Sequence, residues 1–200
     1  MIIALSNETI VMKHIADRIW RDQKLVYIDT ASNWQSGDKT WLDSQIWAIK
    51  KEYSAFSRYS LEWKTISDFR ADLSEYDIIH MWWGQTAYLL HHIMQTWFDS
   101  YLKEVLTSKI IIGSSAGAKV LGKNIGHVQA LDDFSIADVK DGSALWLLNF
   151  DIWAHFWKEK YRKKYNHVLD IAYKNSQSWI YISDNSYIIS TELGIEICNV

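Results

Sequence analysis

Residues 109–119 read KIIIGSSAGAK. Ile110, Ile111 and Ile112 form an apolar, β-branched run of the kind that builds a strand buried on both faces. The run gives way at Gly113 to small residues, and Ser115 sits centrally in Gly113-Ser114-Ser115-Ala116-Gly117. Between a strand and a helix, G-x-S-x-G places its serine on a tight, strained turn, a nucleophile elbow. Glycines two before and two after let the chain close on itself, and Ala116 and Ala118 let the next helix approach the sheet. The hydroxyl is lifted clear at the strand's C-terminal end. The N–H of Ala116, at the helix start, can then face a developing oxyanion. The bland alternative is a small-residue turn that packs a strand on a helix; the preceding strand and following helix favour the elbow.

Upstream of this stretch the chain alternates apolar runs and amphipathic segments. Strands are expected at 1–5 (MIIAL), 24–28 (KLVYI), weakly at 59–63, at 77–82 (DIIHMW) and at 109–112. Helices are expected over about 8–20, 39–53 and 86–106. This rhythm predicts a mostly parallel sheet covered by helices on both faces. After Gly126 strands follow one another, at 178–182, 187–190 and 195–198. Asp184-Asn185 and residues 192–194 supply the turns, which reads as an antiparallel C-terminal edge. The basic run 158–164 reads as the wet face of a helix. No repeat or linker interrupts the pattern, and 200 residues fit a single domain spanning 1–200.

Composition narrows the function classes. The chain is 48% hydrophobic and 22% charged with a net charge of −3, a globular balance without the basic surplus of a sequence-blind nucleic-acid binder. No apolar run reaches the roughly 18 residues of a membrane span, and MIIALSNETI lacks a signal peptide's basic start and cleavage site. A cytoplasmic protein without a nucleic-acid or membrane partner is expected. Its single cysteine, Cys198, excludes an internal disulfide and a multi-cysteine metal site. There is no H-E-x-x-H, and adjacent His91 and His92 point to different sides of a helix, so neither a metal nor a cofactor is expected. The 12 tryptophans and 11 tyrosines, with no proline, describe an aromatic core and turns built from Gly, Asn, Asp and Ser.

A serine hydroxyl needs a general base, usually histidine. Of His14, His80, His91, His92, His127, His155 and His167, spacing favours His155 and His127. His155 ends the apolar run LWLLNFDIWAH, where a strand would reach the sheet's rim.

Four segments resemble the dipeptidase E and cyanophycinase family of serine peptidases. They are IIALSNETI after the first residue, WGQTAYLL at 83–90, IIGSSAGAKVL at 111–121, and DDFSIADVKDGSALWLLNFDIWAHF at 132–156. The resemblance implies a flavodoxin-like three-layer α/β sandwich, kin to class I glutamine amidotransferases, carrying a Ser-His-Asp triad. Ser115 would be the nucleophile and His155 the base. Asp133 would be the orienting acid, with Asp132, Asp138 and Asp151 as competitors. Gly84 would join Ala116 in the oxyanion hole. Gln85, Thr86 and Arg162 would meet substrate, Arg162 through a carboxylate, because dipeptidase E enzymes cleave dipeptides with N-terminal aspartate. A short peptide is then the expected substrate, with monomer and homodimer both open. The chain departs from the family at Trp82-Trp83, where glycines are usual, at Gln85 for asparagine, and at Ala154 for proline. These departures motivate a rival expectation: a relative that binds a ligand or partner in a pocket narrowed by Trp82 and Trp83.

Overall fold

A computed structural model describes the chain except at positions 20, 21, 37, 39, 54, 140, 141, 175 and 177. The expected end of the first helix at 20 and start of the second at 39 therefore lie outside the described residues. The elements in chain order are β1 (Ile2–Leu5), α1 (Glu8–Arg18), β2 (Lys24–Ile28), α2 (Thr40–Lys50), β3 (Ala55–Tyr59), α3 (Ile66–Asp72), β4 (Ile78–Met81) and α4 (Thr86–Gln95). They continue with α5 (Phe98–Val105), β5 (Ile110–Ser114), α6 (Ala116–Val120), β6 (Asp151–Ala154), α7 (Tyr165–Lys174), β7 (Trp179–Ile182), β8 (Ser186–Thr191) and β9 (Gly194–Asn199).

The main sheet runs β3-β2-β4-β5-β1-β8-β9. Its first five strands are parallel, and β8 and β9 form an antiparallel edge beside β1. Alternate residues of each strand enter opposite cores, as the two-residue period of a strand requires. Ile3 and Leu5 of β1 pack with Val11, Ile15 and Leu42 of α1 and α2. Ile2 and Ala4 face Phe69, Leu89, Leu102 and Ala118 from α3 to α6 on the other face. The result is the expected three-layer α/β sandwich with the elbow after a central strand. Active sites in such sheets form outside the strands' carboxyl ends, where β1, β4 and β5 all point.

Three details differ from the sequence pattern. The third strand lies at Ala55–Tyr59, paired with β2 from Lys24↔Ala55 to Ile28↔Tyr59, and not at 59–63. There, Leu61 is buried from a loop while Trp63 stands 98% exposed. The long helix expected at 86–106 is two, because Thr96 Oγ1 bonds back to the His92 carbonyl at 2.6 Å and Trp97 adopts φ 62°. Finally, β7 does not join the antiparallel edge. It pairs in parallel with β6 in a separate two-stranded sheet, with Ala154 opposite Ile182.

Candidate active site

Ser115 sits between β5 and α6 with φ 50° and ψ −101°. That conformation costs on the order of 1–3 kcal/mol for a non-glycine residue and persists only where its surroundings impose it. Here they do. The Ser115 N–H donates to the Leu5 carbonyl at 2.9 Å, and the Gly117 N–H to the Trp82 carbonyl at 3.2 Å. A Cβ on Gly113 would come within 2.5 Å of the Gly117 carbonyl oxygen, and one on Gly117 within 2.1 Å of that of Met81. Both flanking glycines are therefore steric requirements of the turn. Ala116 opens α6, so its N–H has no intrahelical acceptor.

The Ser115 Oγ lies 2.8 Å from His155 Nε2. His155 follows the last residue of β6 and holds φ 61°, which turns its ring toward the elbow. Its Nδ1 lies 2.6 Å from Asp184 Oδ1. The other carboxylate oxygen of Asp184 accepts from Lys158 Nζ at 3.0 Å. Ser6, fully buried just past β1, accepts the His155 backbone N–H at 2.5 Å. Its hydroxyl donates to Asp184 Oδ1 at 3.1 Å and lies 3.2 Å from His155 Nδ1.

The electrostatics suit proton transfer. Burial lowers the pKa of His155, and the hydrogen bond to Asp184 offsets this only in part, so the imidazole is neutral at neutral pH. Burial by itself would raise the Asp184 pKa, but hydrogen bonds from His155 and Lys158 outweigh it and hold the carboxyl well below its ordinary value.

Ser115 opens onto a cleft of about 260 Å³ walled by Trp34, Trp83, Gly84, Lys119 and Tyr161. Trp82 plays no part in narrowing it. Its ring is fully buried in the α1–α2 core, where its Nε1–H donates to the buried Glu8 carboxyl at 2.5 Å. Burial raises the Glu8 pKa, an effect that hydrogen bonds from Trp82 and Ser114 oppose. Gly84 lines the cleft at φ 148°, and a Cβ there would come within 2.1 Å of the Ala31 carbonyl oxygen.

Several expected residues make other contacts. Asp133, expected to orient the histidine, instead caps a short 3-10 turn, accepting the Ser135 N–H at 2.8 Å and hydroxyl at 2.7 Å. Its carbonyl accepts from Gln85 Nε2. None of its competitors bonds to His155. Asp132 accepts the Thr86 hydroxyl at 2.6 Å, the carbonyl of Asp138 faces His91, and Asp151 accepts the backbone N–H groups of Lys123 and Asn124 at 2.8 Å each. Gln85 also caps α4 through the Tyr88 N–H, so the side chains of Gln85 and Thr86 anchor the 131–133 loop. The Arg162 side chain is 74% exposed beside Glu159 at 3.6 Å and lies outside the cleft wall. His127 is buried against the Ile152 carbonyl at 3.2 Å, and desolvation drives its pKa down to about 3. Among the described residues no group of three or more His, Cys, Asp or Glu is arranged to hold a metal ion, and no helix is long and apolar enough to cross a membrane.

Asp184 and Ser6 make the contacts to His155 that the sequence pattern missed. The signal for Asp184 was the pairing of β6 with β7. With Ala154 opposite Ile182, His155 and Asp184 leave adjacent parallel strands at the same end. Ser6 follows from β1, because Leu5 pairs with Ser114 and the next residue falls beside the elbow.

Known proteins share this architecture. A crystal structure of a peptidase E candidate from Listeria monocytogenes EGD-e superposes with a TM-score of 0.87 at 20% identity, covering 100% of this chain and 98% of that one. A peptidase from an acI-B1 actinobacterium gives a TM-score of 0.69 at 15% identity, covering 100% and 87%. At these identities the likeness is one of fold. Uncharacterized peptidases of Listeria monocytogenes and Listeria innocua are each 30% identical over 95 residues. That stretch is 46% of this chain and 46% of each relative, so the match spans about half the length of either protein. An uncharacterized peptidase of Pasteurella multocida is 24% identical over 138 residues, 68% of this chain and 66% of its own. The model of peptidase family S51 matches residues 2–198, and the chain belongs to that family.

Proposed function

We propose that the protein is a serine-type peptidase that hydrolyses short peptides through Ser115, His155 and Asp184. The observation that carries this is the continuous hydrogen-bonded chain from Ser115 Oγ to His155 Nε2 at 2.8 Å and from His155 Nδ1 to Asp184 at 2.6 Å, beginning on a strained elbow. In this reading His155 removes the Ser115 proton as the oxygen attacks the scissile carbonyl. The resulting oxyanion takes the N–H groups of Ala116 and Gly84. His155 then returns the proton to the leaving amine, and water, deprotonated by the same imidazole, releases the acyl group. Asp184 keeps the hydrogen on Nδ1 and stabilises the imidazolium. Asp133 has no part in this chain. The rival binding-protein reading loses its motive, because Trp82 is committed to the core and the cleft at Ser115 stays open past Trp83.

The test is hydrolysis of a dipeptide panel, with N-terminal aspartyl dipeptides first because of the resemblance. Wild-type protein should turn over at least one member, and Ser115→Ala should lose about 10³-fold or more in kcat while keeping its thermal unfolding temperature. Equal rates for the two proteins would refute the reading.

A further inference from the structure

The triad leaves a cationic side chain of the cleft unused. Lys119 lies one helical turn beyond Ser115, on the same face of α6, and lines the same cleft. The residue is only 5% exposed. Its nearest anion, Asp132 Oδ2, is 3.9 Å away, beyond hydrogen-bond reach. That oxygen is already taken by the Thr86 hydroxyl at 2.6 Å and faces the Thr86 N–H at 3.4 Å. The other acid of the cleft wall, Asp133, spends Oδ1 on Ser135. Among the described residues the ammonium makes no hydrogen bond, although it carries three donors, and its ion-pair partner Asp132 stands at the 3.9 Å limit of such contact. A cation on the cleft wall with donors to spare gains from an arriving anion.

We propose that Lys119 is the specificity-determining residue of the cleft, taking a carboxylate of the peptide substrate while Ser115 attacks. The proposal rests on the peptidase reading. It places on Lys119 the cation that the resemblance assigned to Arg162, whose guanidinium stands outside the cleft. The carboxylate has two sources, an acidic side chain at the N-terminal residue or the terminal α-carboxylate. A ligand in a cleft of about 260 Å³ is small enough for either to lie near the scissile bond.

The experiment measures kcat/KM on Asp-Ala, Asn-Ala and Asp-Ala amide. Wild-type protein should lose about tenfold or more when one of the two carboxylates is removed. A loss on Asn-Ala identifies the side chain, and a loss on the amide identifies the terminus. Lys119→Gln should flatten that difference to within about twofold, and Lys119→Arg should retain most of it; Lys119→Met replaces the glutamine variant if the latter fails to fold. Discrimination equal to wild type in the neutral variant, or a wild-type enzyme indifferent to both changes, overturns the proposal. Calorimetric titration of Asp-Ala into Ser115→Ala and into Ser115→Ala/Lys119→Gln separates it from the peptidase reading. A Kd about tenfold or more weaker in the double variant supports Lys119 even if no peptide is turned over. Equal Kd values overturn it even if hydrolysis is found.

Discussion

Replacing Asp184 by asparagine keeps the shape of the side chain and removes its charge. Three contacts of Asp184 set the consequence. Oδ1 lies 2.6 Å from His155 Nδ1 and accepts the Ser6 hydroxyl at 3.1 Å, while Oδ2 accepts from Lys158 at 3.0 Å. An asparagine has one acceptor to share between those sides. Lys158 can only donate, so it draws the amide oxygen, and the amide NH2 turns toward His155. Nδ1 must then accept, the ring hydrogen moves to Nε2, and Nε2 can no longer take the Ser115 proton. A wrong tautomer in such a triad costs about 10⁴-fold in kcat, or about 5 kcal/mol of barrier. Asp184→Asn should therefore fall by about 10³- to 10⁴-fold on the best substrate of the panel. Adding Lys158→Met frees the amide to turn its oxygen back and should recover about tenfold or more of that loss. Steady-state kinetics give the rates, and ¹⁵N chemical shifts of the His155 ring report the tautomer directly. Asp133→Asn, measured in parallel, should stay within a few-fold of wild type. A loss below tenfold for Asp184→Asn, or a larger one for Asp133→Asn, would refute this reasoning.

The site and its elbow set four further outcomes. Because burial lowers the His155 pKa, the base is neutral down to below its ordinary 6.5, and the acid limb of the kcat/KM profile should lie under pH 6.5; a limb centred above 7 would contradict the assignment. The same shift makes folding favour the neutral ring, so the stability it contributes is fully present above the unfolded value of 6.5 and is lost as pH falls from there through the lower folded-state pKa, readable as a drop in unfolding temperature. Ser6→Ala leaves the His155 backbone N–H without its 2.5 Å acceptor and loosens the ring, so kcat should fall by about 10- to 100-fold with a loss of about 1–3 kcal/mol in denaturant unfolding; wild-type values on both would show that Ser6 positions nothing. Gly117→Ala places a methyl 2.1 Å from the Met81 carbonyl oxygen, so it should cost about 2 kcal/mol or more and abolish turnover, whereas an unfolding temperature within a degree of wild type would mean the elbow is not sterically locked.

Legibility in the sequence depended on how local each cause is. The elbow could be read from eleven consecutive residues because its demands, two glycines and small helix-starting residues, act within a few bonds. The parallel sheet could be read because its strands are near-continuous apolar runs, and the antiparallel edge because its turn lies at 192–194. His155 stood out at the end of an apolar run. Asp184 did not, because its contact with His155 arises from the parallel pairing of β6 and β7, which no local pattern announces. A turn aspartate beside asparagine has a sufficient local reason to be there. Asp133 misled for the converse reason: its position in the sequence suited the resemblance, but its side chain is spent on a cap. Trp82 and Trp83 follow the end of β4; Trp82 is fully buried, while Trp83 packs partly against the same core and also lines the cleft, a difference that composition cannot show.

The proposed chemistry centres on one hydroxyl activated by one imidazole. Titration with a fluorophosphonate, with mass spectrometry of the labelled peptide, tests it most directly. Wild-type protein should take up one equivalent on Ser115, His155→Ala should label slower by about 10³-fold or more, and Ser115→Ala should not label. Labelling of Ser115 at the same rate with and without His155, or no labelling of Ser115 in the folded wild-type protein, would contradict it.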